Sequence, residues 1–176
     1  IQGFFDIPTD NLLPAPLIAN DIRARYGKTD DLLIVSPDVG GVVRARALAK
    51  RIDADLAIVD KRRTGPNVAE VMHMIGDVRG KFAVLVDDMI DTAGTLTKAA
   101  QAIMDNGAKE VIAVATHPVL SGPAAERIKA SPLTEIIISD TIPLSDAARA
   151  TGKIRVASVS VLLAEAVRSI HHSDSV

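Results

Sequence analysis

The chain has 176 residues, with 20 basic and 22 acidic side chains, and its formal net charge at pH 7 is −2. This near-neutral balance gives no electrostatic basis for nucleic acid or an anionic membrane as the main partner. The chain contains no cysteine, which excludes disulfides, thiol catalysis and cysteine-ligated zinc, and we expect a cytoplasmic location. No apolar run approaches the ~20 residues that a membrane-spanning helix needs. Hydrophobic residues make up 48% but aromatic residues only 2%, so the core must consist of small and branched aliphatic side chains.

Short apolar runs alternate along the chain with Ala-rich stretches of helix length. The predicted strands are 32–36, 56–60, 82–87, 111–116, 135–139 and a short one at 154–156. The predicted helices are 16–26, 41–52, 95–106, 122–130 and 158–170. This order predicts an α/β fold, with an open, mostly parallel sheet and helices on both faces.

Residues 61–80 interrupt the alternation. The segment begins with three consecutive cations, contains Gly65-Pro66 and shows little periodicity. A stretch of this length without clear structure in a compact domain is typical of a functional loop. Residues 171–176 are polar and are predicted to form a frayed tail. No linker divides the chain, so we interpret 1–176 as a single domain.

Two segments with phosphate-binding chemistry follow predicted strands, where ligands bind in sheets of this type. The first, SPDVGG (36–41), leads into a predicted helix. Its glycines allow a ligand to approach the backbone, the helix N-terminus offers N–H groups to phosphate, and Asp38 is a suitable Mg²⁺ ligand. An ordinary strand-to-helix turn is the alternative for this segment.

The second segment, VLVDDMIDTAGT (84–95), carries the sharper signal. The hydroxyl groups of Thr92 and Thr95 and the N–H groups of residues 93–95 can surround one phosphate. Asp87 and Asp88 repel each other unless a cation or sugar hydroxyls lie between them, and both can accept hydrogen bonds from a ribose diol. A capped turn alone leaves these two acids unexplained.

A third segment, KRR (61–63), ends another predicted strand at the same edge of the sheet. Cations on a lid can neutralise charge that builds up during phosphoryl transfer. A basic triplet by itself is more often a solvated surface feature. The position beside two phosphate-type loops favours the functional interpretation.

Taken together, these segments resemble the ribose-phosphate diphosphokinase family, which has the type I phosphoribosyltransferase fold. The stretch around VLVDDMIDTAGT resembles that fold's 5-phosphoribosyl-diphosphate-binding motif, and further similarity lies in SPDVGGVVRARALAK, DKRR…NVAEVMH, ATHPVLSGPAAERI and SDTIPL. The resemblance runs from residue 1 almost to the C-terminus. It implies Mg²⁺-dependent transfer of the β,γ-diphosphoryl group of ATP to the C1 hydroxyl of ribose 5-phosphate, with release of AMP, in nucleotide biosynthesis.

The resemblance also implies roles for individual residues. The residues that would hold the 5-phosphate are Asp91, Thr92, Ala93, Gly94 and Thr95. The ribose and its metal would contact Asp87 and Asp88, and the loop that receives the diphosphate would consist of the metal ligand Asp38 with Val39, Gly40 and Gly41. The catalytic cations would be Lys61 and Arg63, and Arg63 would also contact substrate.

Regulation and assembly follow from the same resemblance. Gln2, Asp10 and Asn11 match positions linked to an allosteric site, with phosphate or ADP as regulators. Family members form homo-oligomers such as hexamers, and their chains pair two similar domains over about twice this length. We therefore expect the 176 residues to be a C-terminal half that keeps a ribose-phosphate pocket but is impaired as a kinase.

Two other functions stay open from the sequence. One is a phosphoribosyltransferase that consumes the activated ribose, and the other is a non-catalytic regulatory subunit on the same fold. Arg44 and Arg46 are interpreted as helix-surface cations, with support of the diphosphate loop as the alternative. For His73, a nucleotide contact and a solvated loop residue are equal alternatives, and His117 is interpreted mainly as a residue that shapes a turn.

Overall fold

The computed structural model describes residues 2–27, 30–62 and 71–175. A short 3-10 helix at Gln2–Phe4 precedes the main elements. The strands are β1 (Leu32–Ser36), β2 (Asp55–Arg62), β3 (Val71–Ile75), β4 (Phe82–Ile90), β5 (Glu110–Pro118), β6 (Ile136–Ser139) and β7 (Ile154–Ala157). The helices are α1 (Ala15–Tyr26), α2 (Val42–Ile52), α3 (Gly94–Asp105), α4 (Ala124–Ala130), α5 (Asp146–Arg149) and α6 (Ser160–His172).

The strands of the described residues form one sheet in the order β3-β2-β1-β4-β5-β6-β7. Every neighbouring pair is parallel except β2 and β3, which are antiparallel. From β1 the chain moves outward to β2, and it later returns to place β4 on the other side of β1. The point where the strand order reverses therefore lies between β1 and β4, and the carboxyl ends of these two strands flank a crevice.

Both faces of the sheet are buried, as the aliphatic composition predicts. In β4, Ala83 and Leu85 belong to the core that includes residues of α3 and α4. Val84 and Val86 alternate with them and belong to the core formed with α1 and α2. Because successive side chains of a strand point to opposite faces, one hydrophobic run fills both cores. The predicted α/β fold with helices on both faces of a mostly parallel sheet is confirmed.

The prediction of an irregular segment over residues 61–80 is wrong for part of its length. β2 continues through Arg62, and residues 71–75 form β3, which pairs with β2 from Ile58↔Ile75 to Arg62↔Val71. Met72 and Met74 pack against the core while His73 between them is exposed, and this period of two is that of a strand with one buried face. His73 is thus a strand residue, and residues 63–70 lie outside the described residues.

Three other boundaries differ from the predictions. β4 and β5 are longer than expected because their pairing continues to Met89↔His117 and Ile90↔Pro118. The helix α6 ends at His172, so it includes the first two residues of the predicted tail. In the part of the chain that the structure describes, no helix has both the length and the apolar character needed to cross a bilayer.

Candidate ligand-binding site

A cleft of about 180 Å³ opens at the carboxyl ends of β1 and β4. It is lined by Asp38 from the loop after β1, by Asp87, Met89 and Ile90 of β4, and by residues 91–96 at the start of α3. The fold thus brings Asp38 together with residues 49 or more positions further along the chain. The predicted diphosphate loop and the predicted 5-phosphate loop share one cleft.

The predicted 5-phosphate loop contains a residue with strained backbone geometry, directly before the first residue of α3. Ala93 is the N-cap of α3, with φ 58° and ψ 8°, a left-handed backbone conformation that residues other than glycine rarely adopt. Its methyl group is buried in the core, which glycine could not achieve. The turn makes Gly94 the first residue of α3, and the first N–H groups of a helix have no partners within the helix. Together with the positive end of the helix dipole and the neighbouring hydroxyls of Thr92 and Thr95, such N–H groups have the chemistry to bind an anion.

The loop after β1 is closed by its own side chains. The Asp38 Oδ1 atom accepts a hydrogen bond from the Gly41 N–H at 2.8 Å, and the Ser36 hydroxyl donates to the Asp38 carbonyl at 2.7 Å. A Cβ atom on Gly41 would lie 2.8 Å from the Ser36 Oγ atom, so a side chain at this position would displace the bonded hydroxyl. Val39 and Gly40 are exposed at the tip of the loop. The backbone of the loop is therefore open to a ligand on its outer side.

Arg44 contacts both of the paired acids. Its Nη2 atom donates to the Asp88 Oδ2 atom at 2.6 Å, and its Nη1 atom lies 3.4 Å from the Asp87 Oδ1 atom. The interpretation of Arg44 as a surface cation is wrong, because the α2 turn after the diphosphate loop directs it across the cleft edge. Arg46 is exposed, as expected.

The two acids differ in their surroundings. Burial raises the pKa of the Asp87 carboxyl to about 6, and the Asp88 carboxylate adds to this rise, while the Asp88 N–H group and Arg44 act in the opposite direction. The Asp88 side chain is 57% exposed and is solvated on one side. Asp87 thus titrates close to neutral pH, as functional carboxyl groups in clefts often do.

Two residues that the sequence analysis did not single out hold the 5-phosphate loop. The Ser121 hydroxyl donates to the Asp91 Oδ1 atom, and the Arg127 Nη1 atom donates to the Thr92 carbonyl at 3.0 Å. Both residues follow β5, the neighbour of β4 in the sheet. Both lie in the ATHPVLSGPAAERI stretch, whose resemblance to the family did not by itself indicate a role for either residue.

The remaining candidate residues have different placements. Lys61 lies in β2 opposite Met72, and Arg63 lies outside the described residues. Gln2 is part of the 3-10 helix, and Asp10 and Asn11 are exposed in the segment before α1. Their predicted roles stay predictions.

His117 occupies the carboxyl end of β5, beside Met89 of β4. Its Nδ1 atom forms a hydrogen bond with the Thr141 hydroxyl at 2.9 Å, and that hydroxyl also donates to the Thr116 carbonyl. His117 thus ties the ends of β5 and β6 together. This placement agrees with its interpretation as a residue that shapes the turn.

Known proteins with similar sequences and structures point to one family. Residues 57–176, more than half of the chain, match the phosphoribosyl synthetase-associated domain. The whole chain is 61% identical to the ribose-phosphate pyrophosphokinase of Caulobacter vibrioides, covering 57% of that protein, and 61% identical to that of Xanthomonas axonopodis, covering 55%.

A solved structure agrees with the sequence relatives. The phosphoribosylpyrophosphate synthetase of Mycobacterium smegmatis superposes with a TM-score of 0.87 at 36% identity, over 98% of this chain and 55% of that one. The chain thus spans about half the length of the relatives it matches. The resemblance drawn from the motifs is confirmed, and the chain belongs to the phosphoribosyl synthetase-associated domain family.

Proposed function

We propose that this chain carries the ribose-phosphate half of a ribose-phosphate diphosphokinase. The reaction transfers the β,γ-diphosphoryl group of ATP to the C1 hydroxyl of ribose 5-phosphate and releases AMP. The observation that carries the proposal is the shared cleft, which is lined by the start of α3, by Asp87 of the paired acids and by Asp38. The names of the relatives support the same reaction.

Ribose 5-phosphate would bind with its phosphate on the loop from Asp91 to Thr95. Hydroxyl groups and helix N–H groups suit a phosphate dianion because they are neutral hydrogen-bond donors that stay protonated at physiological pH. The ribose ring would then extend toward Asp87 and Asp88, whose carboxylates accept hydrogen bonds from the 2- and 3-hydroxyl groups. Because an ionised carboxylate is a stronger acceptor than a protonated carboxyl group, the Asp87 pKa of about 6 predicts weaker binding below that pH.

The donor atoms around the cleft suit Mg²⁺ as a substrate-bridging ion. In the described residues no cluster of three or more acidic, His or Cys side chains forms a complete metal cage. Mg²⁺ is usually held by one or two carboxylates together with waters and substrate phosphates, and Asp38 and Asp87 line this cleft with such groups. When bound, the ion would neutralise phosphate charge as the diphosphoryl group moves.

In the transfer itself, the C1 oxygen of ribose forms a bond to the β-phosphorus of ATP. The bond from that phosphorus to the oxygen bridging to the α-phosphorus breaks, AMP departs with that oxygen, and the proton of the C1 hydroxyl passes to solvent. No nucleophilic side chain is needed, because catalysis of phosphoryl transfer depends on positioning and charge stabilisation. The loop from Asp38 to Gly41 would receive the diphosphate with its N–H groups, and we propose Lys61 and Arg63 as the cations that stabilise the charge at the β-phosphorus.

Binding of ribose 5-phosphate tests the assigned pocket. Calorimetric titration of the chain is expected to show saturable binding, and Thr95→Val is expected to weaken it about tenfold because a hydroxyl donor to a charged group is lost. Gln101→Ala is the control on the same helix, since the Gln101 side chain donates to Asp105 at 2.8 Å, near the far end of α3. Equal losses in the two variants would contradict the pocket.

The catalytic assignment needs a different measurement. Lys61→Ala is expected to leave ribose 5-phosphate affinity within about twofold while it abolishes AMP release in a preparation that has this activity, because a transition-state cation contributes to rate and not to ground-state binding. Chelation of Mg²⁺ is expected to stop the same release. We propose that the 176 residues alone bind ribose 5-phosphate and release little AMP. An equal fall in affinity and rate would contradict the proposal that Lys61 stabilises the transition state.

Regulation, assembly and location stay at the level of proposals. We propose that phosphate or ADP binds near Gln2, Asp10 and Asn11, and that the protein functions as a cytoplasmic homo-oligomer. Titration of the chain with ADP checks the proposed binding of a regulator. The mass from light scattering checks the proposed assembly.

A further inference from the structure

We propose that Arg127, together with Leu120 and Ser121, forms a set of donors, called the clasp below, that holds the 5-phosphate loop in the conformation that binds its ligand. Arg127 would be a positioning residue, because it acts through the backbone of the loop and through its charge. The inference rests on the proposed function, since it concerns the same phosphate. All three residues lie in the ATHPVLSGPAAERI stretch, but none of them is among the residues to which a role at the site was assigned.

The clasp engages three consecutive carbonyl groups of the loop. The Leu120 N–H donates to the Ile90 carbonyl at 2.9 Å, and the Ser121 N–H donates to the Asp91 carbonyl at 3.1 Å. The Arg127 Nη1 atom donates to the Thr92 carbonyl at 3.0 Å. The donors come from the segment after β5 and from α4, so this side of the loop is fixed by a separate part of the chain.

The next carbonyl is fixed by α3 itself. The Ala93 carbonyl accepts from the Thr97 N–H at 3.0 Å and from the Thr97 hydroxyl at 2.8 Å. Four consecutive carbonyls, from Ile90 to Ala93, are therefore bonded to protein. A carbonyl oxygen turned toward a phosphate would repel it, so these bonds favour the conformation in which the loop presents N–H groups to the cleft.

The clasp also supplies positive charge where the cleft lacks it. The cleft is lined by Asp38, Asp87 and Asp91, which would repel a phosphate dianion. The Arg127 Nη1 atom lies only 3.2 Å from the position that a Cβ atom on Gly94 would occupy. The guanidinium therefore lies against the first turn of α3, where its charge adds to that of the helix N-terminus. A side chain at Gly94 would crowd this contact and require the guanidinium to shift by a few tenths of an ångström.

The test compares variants at two exposed residues of α4 by calorimetric titration with ribose 5-phosphate. Arg127→Ala is expected to weaken binding about tenfold, because a charge-assisted hydrogen bond and a nearby cation are lost together. Arg127→Lys, which keeps the charge, is expected to recover affinity to within about threefold of the parent. Lys129→Ala on the same helix removes an equal charge and is expected to leave binding unchanged.

Two further measurements separate positioning from general stability. Arg127→Ala is expected to shift the thermal midpoint by no more than Lys129→Ala does, and to increase hydrogen exchange of the amides of residues 93–96. Its affinity should also depend less on salt than that of the parent. If the parent binds and Arg127→Ala binds equally well, the clasp is overturned while the proposed function stands. If the parent itself does not bind ribose 5-phosphate, the proposed function is overturned and the clasp with it.

Discussion

Charged side chains cluster where the parallel strands begin, at the amino edge of the sheet, and where they end, at the carboxyl edge. The acids at the amino edge have several cationic or neutral donors between them, whereas the paired acids at the carboxyl edge share one cation. At the amino end of β6, Glu135 accepts hydrogen bonds from Arg25 at 2.6 Å, from the Tyr26 hydroxyl at 2.7 Å and from Arg155 at 2.9 Å. Arg155 also forms a two-pronged pair with Asp21 of α1. At the carboxyl end of β4, by contrast, two neighbouring acids share Arg44.

The pKa values express this difference. Burial opposes ionisation of Glu135, but its hydrogen bonds from Arg155 and Tyr26 outweigh it and lower the pKa of the carboxyl group. At the other edge, burial raises the pKa of Asp87 to about 6. Charges at the amino edge thus stabilise the native fold, whereas the carboxyl edge holds a carboxyl group whose ionisation costs stability. Such a cost is typical of a site whose partner is a ligand.

Removal of Arg155 is expected to cause the largest loss of stability. Arg155→Ala leaves the partly buried carboxylates of Asp21 and Glu135 without a shared partner, and we expect the free energy of unfolding to fall by about 2 kcal/mol. Arg79→Ala is the control, because its ion pair with Asp77 is exposed and should contribute little to stability. Urea denaturation of both variants checks this. Equal losses would contradict a structural role for the amino-edge network.

Asp87→Asn is expected to act in the opposite direction. Because the native pKa of Asp87 lies above its ordinary value of 3.8, the unfolded state ionises first, and the cost of this group grows as pH rises from about 4 and is complete above about 6. With metal removed by a chelator, the variant should be more stable than the parent by about 1 kcal/mol at pH 8, with no such gain at pH 4. Ribose 5-phosphate affinity should fall at least tenfold, since an acceptor for ribose is lost. A variant that is less stable at pH 8 would show that the acid is satisfied within the fold.

The smallest expected effect belongs to Tyr26 at the amino edge. Burial and the adjacent Glu135 carboxylate raise the pKa of the Tyr26 phenol to about 12, so it remains a neutral donor at physiological pH. Tyr26→Phe keeps the ring contact with Phe82, at 4.7 Å between centroids, and loses only the hydroxyl. We expect a loss of about 1 kcal/mol in unfolding free energy and unchanged ribose 5-phosphate affinity. Weakened binding would mean that the two edges are coupled.

The sequence predicted well the features that depend on local pattern. Buried parallel strands appear as continuous aliphatic runs, and the acid-rich stretch ending in Thr95 follows such a run directly, so both the fold and the main ligand loop could be predicted. The strand β3 was missed because its signal is only the alternation of Met72 and Met74 with exposed residues, next to a Gly-Pro breaker. A short strand with a single buried face has too few alternating apolar residues to be recognised from the sequence.

The features that were missed depend on contacts between distant parts of the chain. Arg44 reaches Asp87 and Asp88 only because α2 and β4 meet beside β1, and helix periodicity gives no sign of this. Arg127 contacts a loop 35 positions earlier in the chain. Neither pairing has a local sequence signature, because the strand order of the sheet determines which loops become neighbours.

The most direct test of the account is residue-resolved hydrogen exchange with and without ribose 5-phosphate. We expect the ligand to protect the amides of residues 92–96 and to leave those of residues 21–26 and 135–137 unchanged. That result would place the ligand at the carboxyl edge and assign the amino-edge network to stability alone. Saturating ribose 5-phosphate without protection of residues 92–96, or with protection confined to the amino edge, would contradict the central claim.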